Sequence, residues 1–240
     1  MAAAFFWGAI SSAALLLGAW IAYRMTPSRV VIAVVMALGS GVLLGSVSFE
    51  LIDDALNTRS VAWVGLAVLV GGAVFALGDW LLSRRGGGER KDPDGAQAEG
   101  SPLAIVLGSV LDGIPESFVL GLTVLQGGVS VSLLAGVVLS NLPEGMSSSS
   151  GLRAAGWAQR RVMLMWTVVV IVSALSSVTG YVLLDPAGGL TGSLVEAFAA
   201  GALLAMLADT LLPEAYEVEG VLTGLLVVVG FAVSLALSAI

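Results

Sequence analysis

The chain has 240 residues, of which 58% are hydrophobic and 11% charged, and its formal net charge is −7 at pH 7. Soluble domains hold roughly 45–50% apolar and about 25% charged residues, so this composition excludes an ordinary soluble protein and predicts an all-α integral membrane protein. With no cysteine and no histidine, the chain has no disulfide and no thiolate or imidazole metal ligand. Any bound ion must be held by oxygen, and the scattered basic residues exclude a nucleic-acid surface.

Eight apolar segments are long enough to cross a bilayer, since about 20 apolar residues span its hydrocarbon core. The predicted spans are residues 3–23, 30–52, 61–82, 103–126, 131–152, 162–184, 192–213 and 220–240. They form a single membrane domain, and we interpret the first as a retained span because no basic residue precedes it. Residues 83–101 are rich in glycine and charge and predict a flexible cytoplasmic linker.

The basic residues predict the orientation of these spans. All Lys and Arg residues except Arg59 fall on one side of the membrane. The positive-inside rule makes that side the cytoplasm. Both termini are then extracytoplasmic, and we expect the protein in the plasma (inner) membrane as a multi-pass protein.

Two pairs of similar segments run through the membrane in opposite directions. In spans four and five, Asp112-Gly-Ile-Pro-Glu116 is similar to Ser140-Asn-Leu-Pro-Glu144, and residues 49–56 of span two are similar to residues 209–216 of span seven. Opposite threading of similar sequences is typical of an inverted repeat. We therefore expect eight transmembrane helices in a 3+2+3 inverted-repeat arrangement, with a substrate site near the midplane.

The Pro-Glu segments are the strongest candidates for chemistry. Spans four and five contain no Lys or Arg before Arg153, and an uncompensated charge at the bilayer centre costs about 2.5–3.5 kcal/mol. Their acids must therefore hold a cation or a proton. Positions four apart share a helix face, and each proline frees a backbone carbonyl oxygen. The predicted metal ligands are Asp112, Glu116, Ser140, Asn141 and Glu144.

Other acids cluster near the ends of spans. Near the outer end of span two lies a candidate entrance that concentrates cations, formed by Glu50, Asp53 and Asp54. Near the cytoplasmic end of span seven lies a candidate exit, formed by Asp209 and Glu214. Solvated helix ends are the alternative interpretation of both groups. Asp79 is expected to be interfacial.

These features resemble the ZIP (Zrt/Irt-like) divalent metal transporters, especially their bacterial members. The resemblance is most specific at Asn141-Leu-Pro-Glu-Gly145, which matches the motif of the family's fifth span apart from its first position. It implies a binuclear metal centre in which two family glutamates correspond to Glu116 and Glu144, and an amide ligand to Asn141. It also implies zinc or iron as the transported ion.

The chain departs from the family pattern at the ligand positions. Asp112 and Gly113 stand where span four of the family has histidine and asparagine, Ser140 replaces the His or Gln of span five, and Ser177 aligns with a glutamate of span six. We expect one intact all-oxygen site and one impaired site. Oxygen ligands favour Mn(II) or Fe(II), with Zn(II) left open.

Two functions from different classes follow. The first is a ZIP-like transporter that carries divalent metal cations into the cytoplasm. The second is a degenerate relative that binds a cation or proton as a sensor or scaffold without net transport. An enzyme is not expected, because the midplane has no His, Cys or paired Asp residues to activate water. The expected partners are metal cations and the lipid bilayer, and helix faces rich in Gly and Ala permit a homodimer.

Overall fold

The computed structural model describes residues 1–84, 102–183 and 190–239, and these residues form eight long helices and no strand. The first six, in chain order, are α1 (Ala2–Arg24), α2 (Arg29–Ser46, extended by Val47–Ile52 and Asp53–Thr58), α3 (Val61–Leu82), α4 (Pro102–Gln126), α5 (Val131–Ala154) and α6 (Gln159–Leu183). The last two are α7 (Leu190–Met206, extended by Leu207–Leu211 and Leu212–Glu219) and α8 (Leu222–Leu237). The predicted linker lies outside the described residues, apart from residues 83–84, which continue α3.

Six of these helices are long and apolar enough to cross a membrane. The prediction of an all-α, multi-pass membrane protein is therefore confirmed. The other two are α5, which carries Glu144 and a run of serines, and α8, which has only 16 residues. That these two also cross the membrane stays a prediction.

Local sequence explains where several helices begin and end. Ser28 follows a proline, and its side chain accepts a hydrogen bond from the Val31 N–H, which caps the start of α2. Ser130 caps α5 in the same way by accepting from the Leu133 N–H at 3.0 Å. Beyond the end of α5, the chain turns at Gly156, whose φ of 81° is unfavourable for residues with a Cβ.

The eight helices pack in two groups. In the first, α1 packs against α5 and α6, and α4 packs against α6. In the second, α2 packs against α8 and α7, and α3 packs against α7. The main contact between the groups is that of α2 with α5, where Leu43 and Gly136 meet. The largest apolar cluster lies at this junction and includes Leu43, Val137 and Leu203, all buried.

Reciprocal glycine contacts hold the helices of each group together. Each such contact involves two glycines, one on each helix. Each glycine lies against a backbone carbonyl of the other helix, and that carbonyl belongs to the residue three positions before the other glycine. At Gly121 of α4, for example, a Cβ atom would lie 1.9 Å from the Ser177 carbonyl oxygen, and at Gly180 of α6 it would lie 2.1 Å from that of Phe118. The four pairs are Gly18 with Gly145, Gly41 with Gly230, Gly71 with Gly201, and Gly121 with Gly180.

Helices α2 and α7 differ from the predicted spans in the same way. Their spans were predicted to end at residues 52 and 213, but each helix continues beyond a π-helical segment, Val47–Ile52 in α2 and Leu207–Leu211 in α7. In α7 the wider turn accommodates Pro213, which has no N–H and needs space for its ring. Proline is not required, however, because Asp53 occupies the aligned position in α2.

The glycine contacts predict the effect of an added methyl group. In α3, Gly71→Ala would place a Cβ 1.9 Å from the Phe198 carbonyl oxygen, whereas Gly65 of the same helix has no neighbouring atom within 4 Å. Overpacking should cost Gly71→Ala about 1–3 kcal/mol. Gly65→Ala should leave stability unchanged or raise it by up to about 1 kcal/mol.

Thermal unfolding of both variants in detergent, followed by circular dichroism, measures this difference. Equal melting temperatures for the two variants would contradict the role assigned to the glycine contacts.

Candidate ion-binding site

One face of α4 carries three buried polar side chains. Ser109, Asp112 and Glu116 are spaced three and four residues apart, so they lie one above the other on the same face of the helix. Their exposed fractions are 3%, 3% and 2%. Pro115 lies within this stretch without ending the helix. The chain therefore places two acids deep inside the helical bundle.

The matching residues of α5 are also buried but divide between two directions. Ser140 and Glu144 lie on one face, towards α4. Asn141 is one position further round the helix, and its amide nitrogen donates to the Ser11 carbonyl of α1 at 3.4 Å. The side-chain amide of this predicted ligand thus bonds to α1 rather than to either glutamate.

Serine–glutamate hydrogen bonds join α4 and α5 in opposite directions. The Ser140 hydroxyl of α5 donates to Oε1 of Glu116 at 3.0 Å. The Ser109 hydroxyl of α4 donates to Oε1 of Glu144 at 2.7 Å. Each glutamate is therefore held by a serine of the other helix.

The two hydrogen bonds lie at different depths. A helix rises about 1.5 Å per residue, which places Ser109 roughly 10 Å from Glu116 along α4 and Ser140 roughly 6 Å from Glu144 along α5. Asp112 lies between the two depths. In keeping with this spacing, no group of three or more Asp, Glu, His or Cys side chains within residues 1–84, 102–183 and 190–239 is placed to hold a metal ion.

Beside the predicted entrance lies an acid, Glu196, that sequence reasoning missed. Glu196 of α7 is only 7% exposed and accepts a hydrogen bond from the Gln126 amide of α4 at 2.6 Å. The carboxylate of Asp54 lies close enough to interact with it electrostatically. Glu196 lies near the start of the predicted span 192–213, which also contains Asp209. An acid inside a predicted span is the signal that could have found it.

The predicted entrance residues themselves, Glu50, Asp53 and Asp54, lie nearer the surface than Glu196. Glu50 is half-buried in the π-helical segment of α2 and accepts a hydrogen bond from the Ser238 hydroxyl at 3.2 Å. Asp53 and Asp54 are exposed. With Glu196, these residues place four carboxylates at one end of the bundle.

The predicted exit residues lie along and after the π-helical segment of α7. Asp209 is exposed and interacts electrostatically with Asp79 of α3, while Glu214 is half-buried. Asp79 is also half-buried. The acids of α7 thus lie near both of its ends, Glu196 at one and Asp209 at the other.

Comparison with models of known protein families gives no match, and no curated protein sequence matches the chain. The resemblance to ZIP transporters therefore stays a prediction that depends on the motif residues and their arrangement.

The buried acids predict an unusual effect on stability. Glu144→Gln keeps an oxygen that accepts the Ser109 hydrogen bond but removes the cost of burying either a charge or the proton that neutralises it, so the metal-free protein should become more stable, by up to about 3 kcal/mol. Glu217→Gln removes a charge from an exposed position of α7 and should have little effect.

Melting temperatures in metal-free detergent solution at pH 7 test this expectation. A lower melting temperature for Glu144→Gln than for the wild type would show that the Glu144 carboxylate stabilises the fold.

Proposed function

We propose that this protein is a ZIP-like transporter that carries divalent metal cations across the membrane into the cytoplasm through the carboxylates between α4 and α5. The observation that carries the proposal is the pair of opposed serine–glutamate hydrogen bonds between these helices. They hold two buried acids in helices that contain no Lys or Arg before Arg153. A cation is the partner that compensates such charges.

The same pattern supports an inverted repeat of the 3+2+3 type. Exchange of α1 with α6, α2 with α7, α3 with α8 and α4 with α5 converts each reciprocal glycine contact into another one. It also exchanges the two π-helical segments. An inverted repeat of this kind places a transported ion at the repeat interface, which here is the space between α4 and α5.

The proposed path follows from the two depths of the site. With the termini extracytoplasmic, a cation that enters past Glu50, Asp54 and Glu196 meets Glu116 first, then Asp112, then Glu144. It leaves towards Asp209 and Glu214. Access to the two sides of the membrane alternates when the group formed by α1, α4, α5 and α6 moves relative to the group formed by α2, α3, α7 and α8. The membrane is the plasma membrane.

The ligands favour a hard cation. Carboxylate and hydroxyl oxygens suit Mn(II) and Fe(II) better than the nitrogen-containing family site does. The amide of Asn141 bonds to α1, which supports one site formed by Asp112, Glu116, Ser140 and Glu144 and an impaired second site.

A second candidate function is a membrane sensor or scaffold that binds a cation or proton without net transport. The histidines of the family motifs are missing from this sequence, and Ser177 stands where relatives often carry a glutamate in span six; these departures favour the alternative. Metal-dependent thermal stabilisation without uptake would distinguish it from the transporter.

Uptake into proteoliposomes tests the transporter. Wild-type protein should take up at least one of Mn²⁺, Fe²⁺ and Zn²⁺, and Glu144→Gln should reduce that uptake at least about tenfold, since it removes a charged ligand from the path. Glu217→Gln should transport at the wild-type rate.

The proposal fails if the wild type takes up none of the three metals, or if Glu144→Gln transports at the wild-type rate.

A further inference from the structure

We infer that Ser109 is a positioning residue of the transport site: its hydroxyl fixes the orientation of the Glu144 carboxylate in which the cation is bound. This inference rests on the proposed transport function and extends it to a residue outside the Pro-Glu motifs, one that the sequence analysis did not select.

The hydrogen bond of Ser109 differs from those of most helical hydroxyls in this chain. Among the described residues, the hydroxyls that donate to the carbonyl four residues earlier in their own helix include those of Ser40, Ser46, Ser48, Thr167, Thr179 and Thr210. Such a bond satisfies a buried hydroxyl locally. Ser109 instead donates across to α5, to an acid. Its position is therefore explained by Glu144 rather than by its own helix.

The geometry of this bond suits a charged acceptor. The distance of 2.7 Å from Ser109 Oγ to Glu144 Oε1 is compatible with a hydrogen bond from a hydroxyl to a carboxylate and is also usual between neutral oxygens. The corresponding bond from Ser140 to Glu116 is 3.0 Å long, and the Ser140 hydroxyl also lies 3.0 Å from the Val137 carbonyl of its own helix. The Ser109 hydroxyl thus donates to Glu144, whereas the Ser140 hydroxyl is shared between Glu116 and a backbone carbonyl of its own helix.

A neutral donor is what a binding carboxylate requires. An Arg or Lys partner would orient Glu144 but also neutralise it, and the incoming cation would have to displace that partner. The Ser109 hydroxyl holds one carboxylate oxygen and leaves the net charge available to a cation. Pre-orientation of this kind lowers the ordering cost of binding, so its loss should weaken binding more than it slows translocation.

The variants Ser109→Ala and Ser109→Thr separate this role from a structural one. In ⁵⁴Mn²⁺ uptake by proteoliposomes, Ser109→Ala should raise KM about tenfold, the loss expected for one hydrogen bond to a charged group, with Vmax nearly unchanged. Ser109→Thr keeps the hydroxyl and should restore a KM close to the wild type. The matched control is Ser40→Ala, which removes an equally buried hydroxyl whose bond is to the Met36 carbonyl of its own helix, and it should leave KM unchanged.

Infrared spectroscopy gives a readout that needs no metal. The carboxylate band of Glu144, identified as the band lost in Glu144→Gln, should shift in Ser109→Ala and stay in place in Ser40→Ala. A Glu144 band that does not move in Ser109→Ala, or a rise in KM that Ser40→Ala shares, overturns the inference about Ser109 while the transport function stands.

Failure of the transport function has a different signature. If the wild type takes up no Mn²⁺, Fe²⁺ or Zn²⁺ but binds Mn²⁺ in detergent, transport is overturned, and a tenfold weaker Kd for Ser109→Ala still supports the positioning role. If the wild type neither takes up nor binds these metals, both proposals are overturned.

Discussion

Close backbone contact at paired glycines is the constraint on which the rest of the structure depends. In lipid, helices gain little from burying apolar side chains against one another, so association relies on packing and on small residues that let backbones approach. Here, in the four pairs described above, each glycine leaves space for a backbone carbonyl of the partner helix to approach closely. These contacts fix the depth and rotation of α1 against α5 and of α4 against α6. Only with that registration do the polar faces of α4 and α5 meet.

The site itself shows how a buried carboxylate is held without being neutralised. Serine donors give Glu116 and Glu144 hydrogen bonds in the bundle interior, and such bonds offset part of the cost of burying polar groups. They add no positive charge. The packing of the surrounding helices offsets the remaining free-energy cost of burying the carboxylates, and a bound cation would lower that cost. Under the proposed function, stability in the metal-free state and affinity for the ion would be opposed at these two residues.

Much of this arrangement could be predicted from the sequence, because hydrophobic length determines where membrane helices lie and charge inside such a helix marks a polar site. The helices and the Pro-Glu acids followed from these rules. Ser109 did not, because a serine in an apolar helix is ordinarily a packing residue, and only the tertiary contact of α4 with α5 reveals its partner. The direction of Asn141 towards α1 likewise depends on how α5 is rotated, which no local pattern determines. Glu196, by contrast, could have been predicted from the sequence, because it is a charged residue inside a predicted span.

The π-helical segments of α2 and α7 have a consequence for how the ends of these helices are aimed. A π turn takes up one residue more than an α turn, so everything beyond it is rotated by about 100° relative to an uninterrupted α-helix. In α2 this rotation changes the side of the helix on which Asp54 lies, and in α7 it changes the side on which Glu214 lies. The terminal acids of both helices therefore face a direction that an uninterrupted α-helix would not give them.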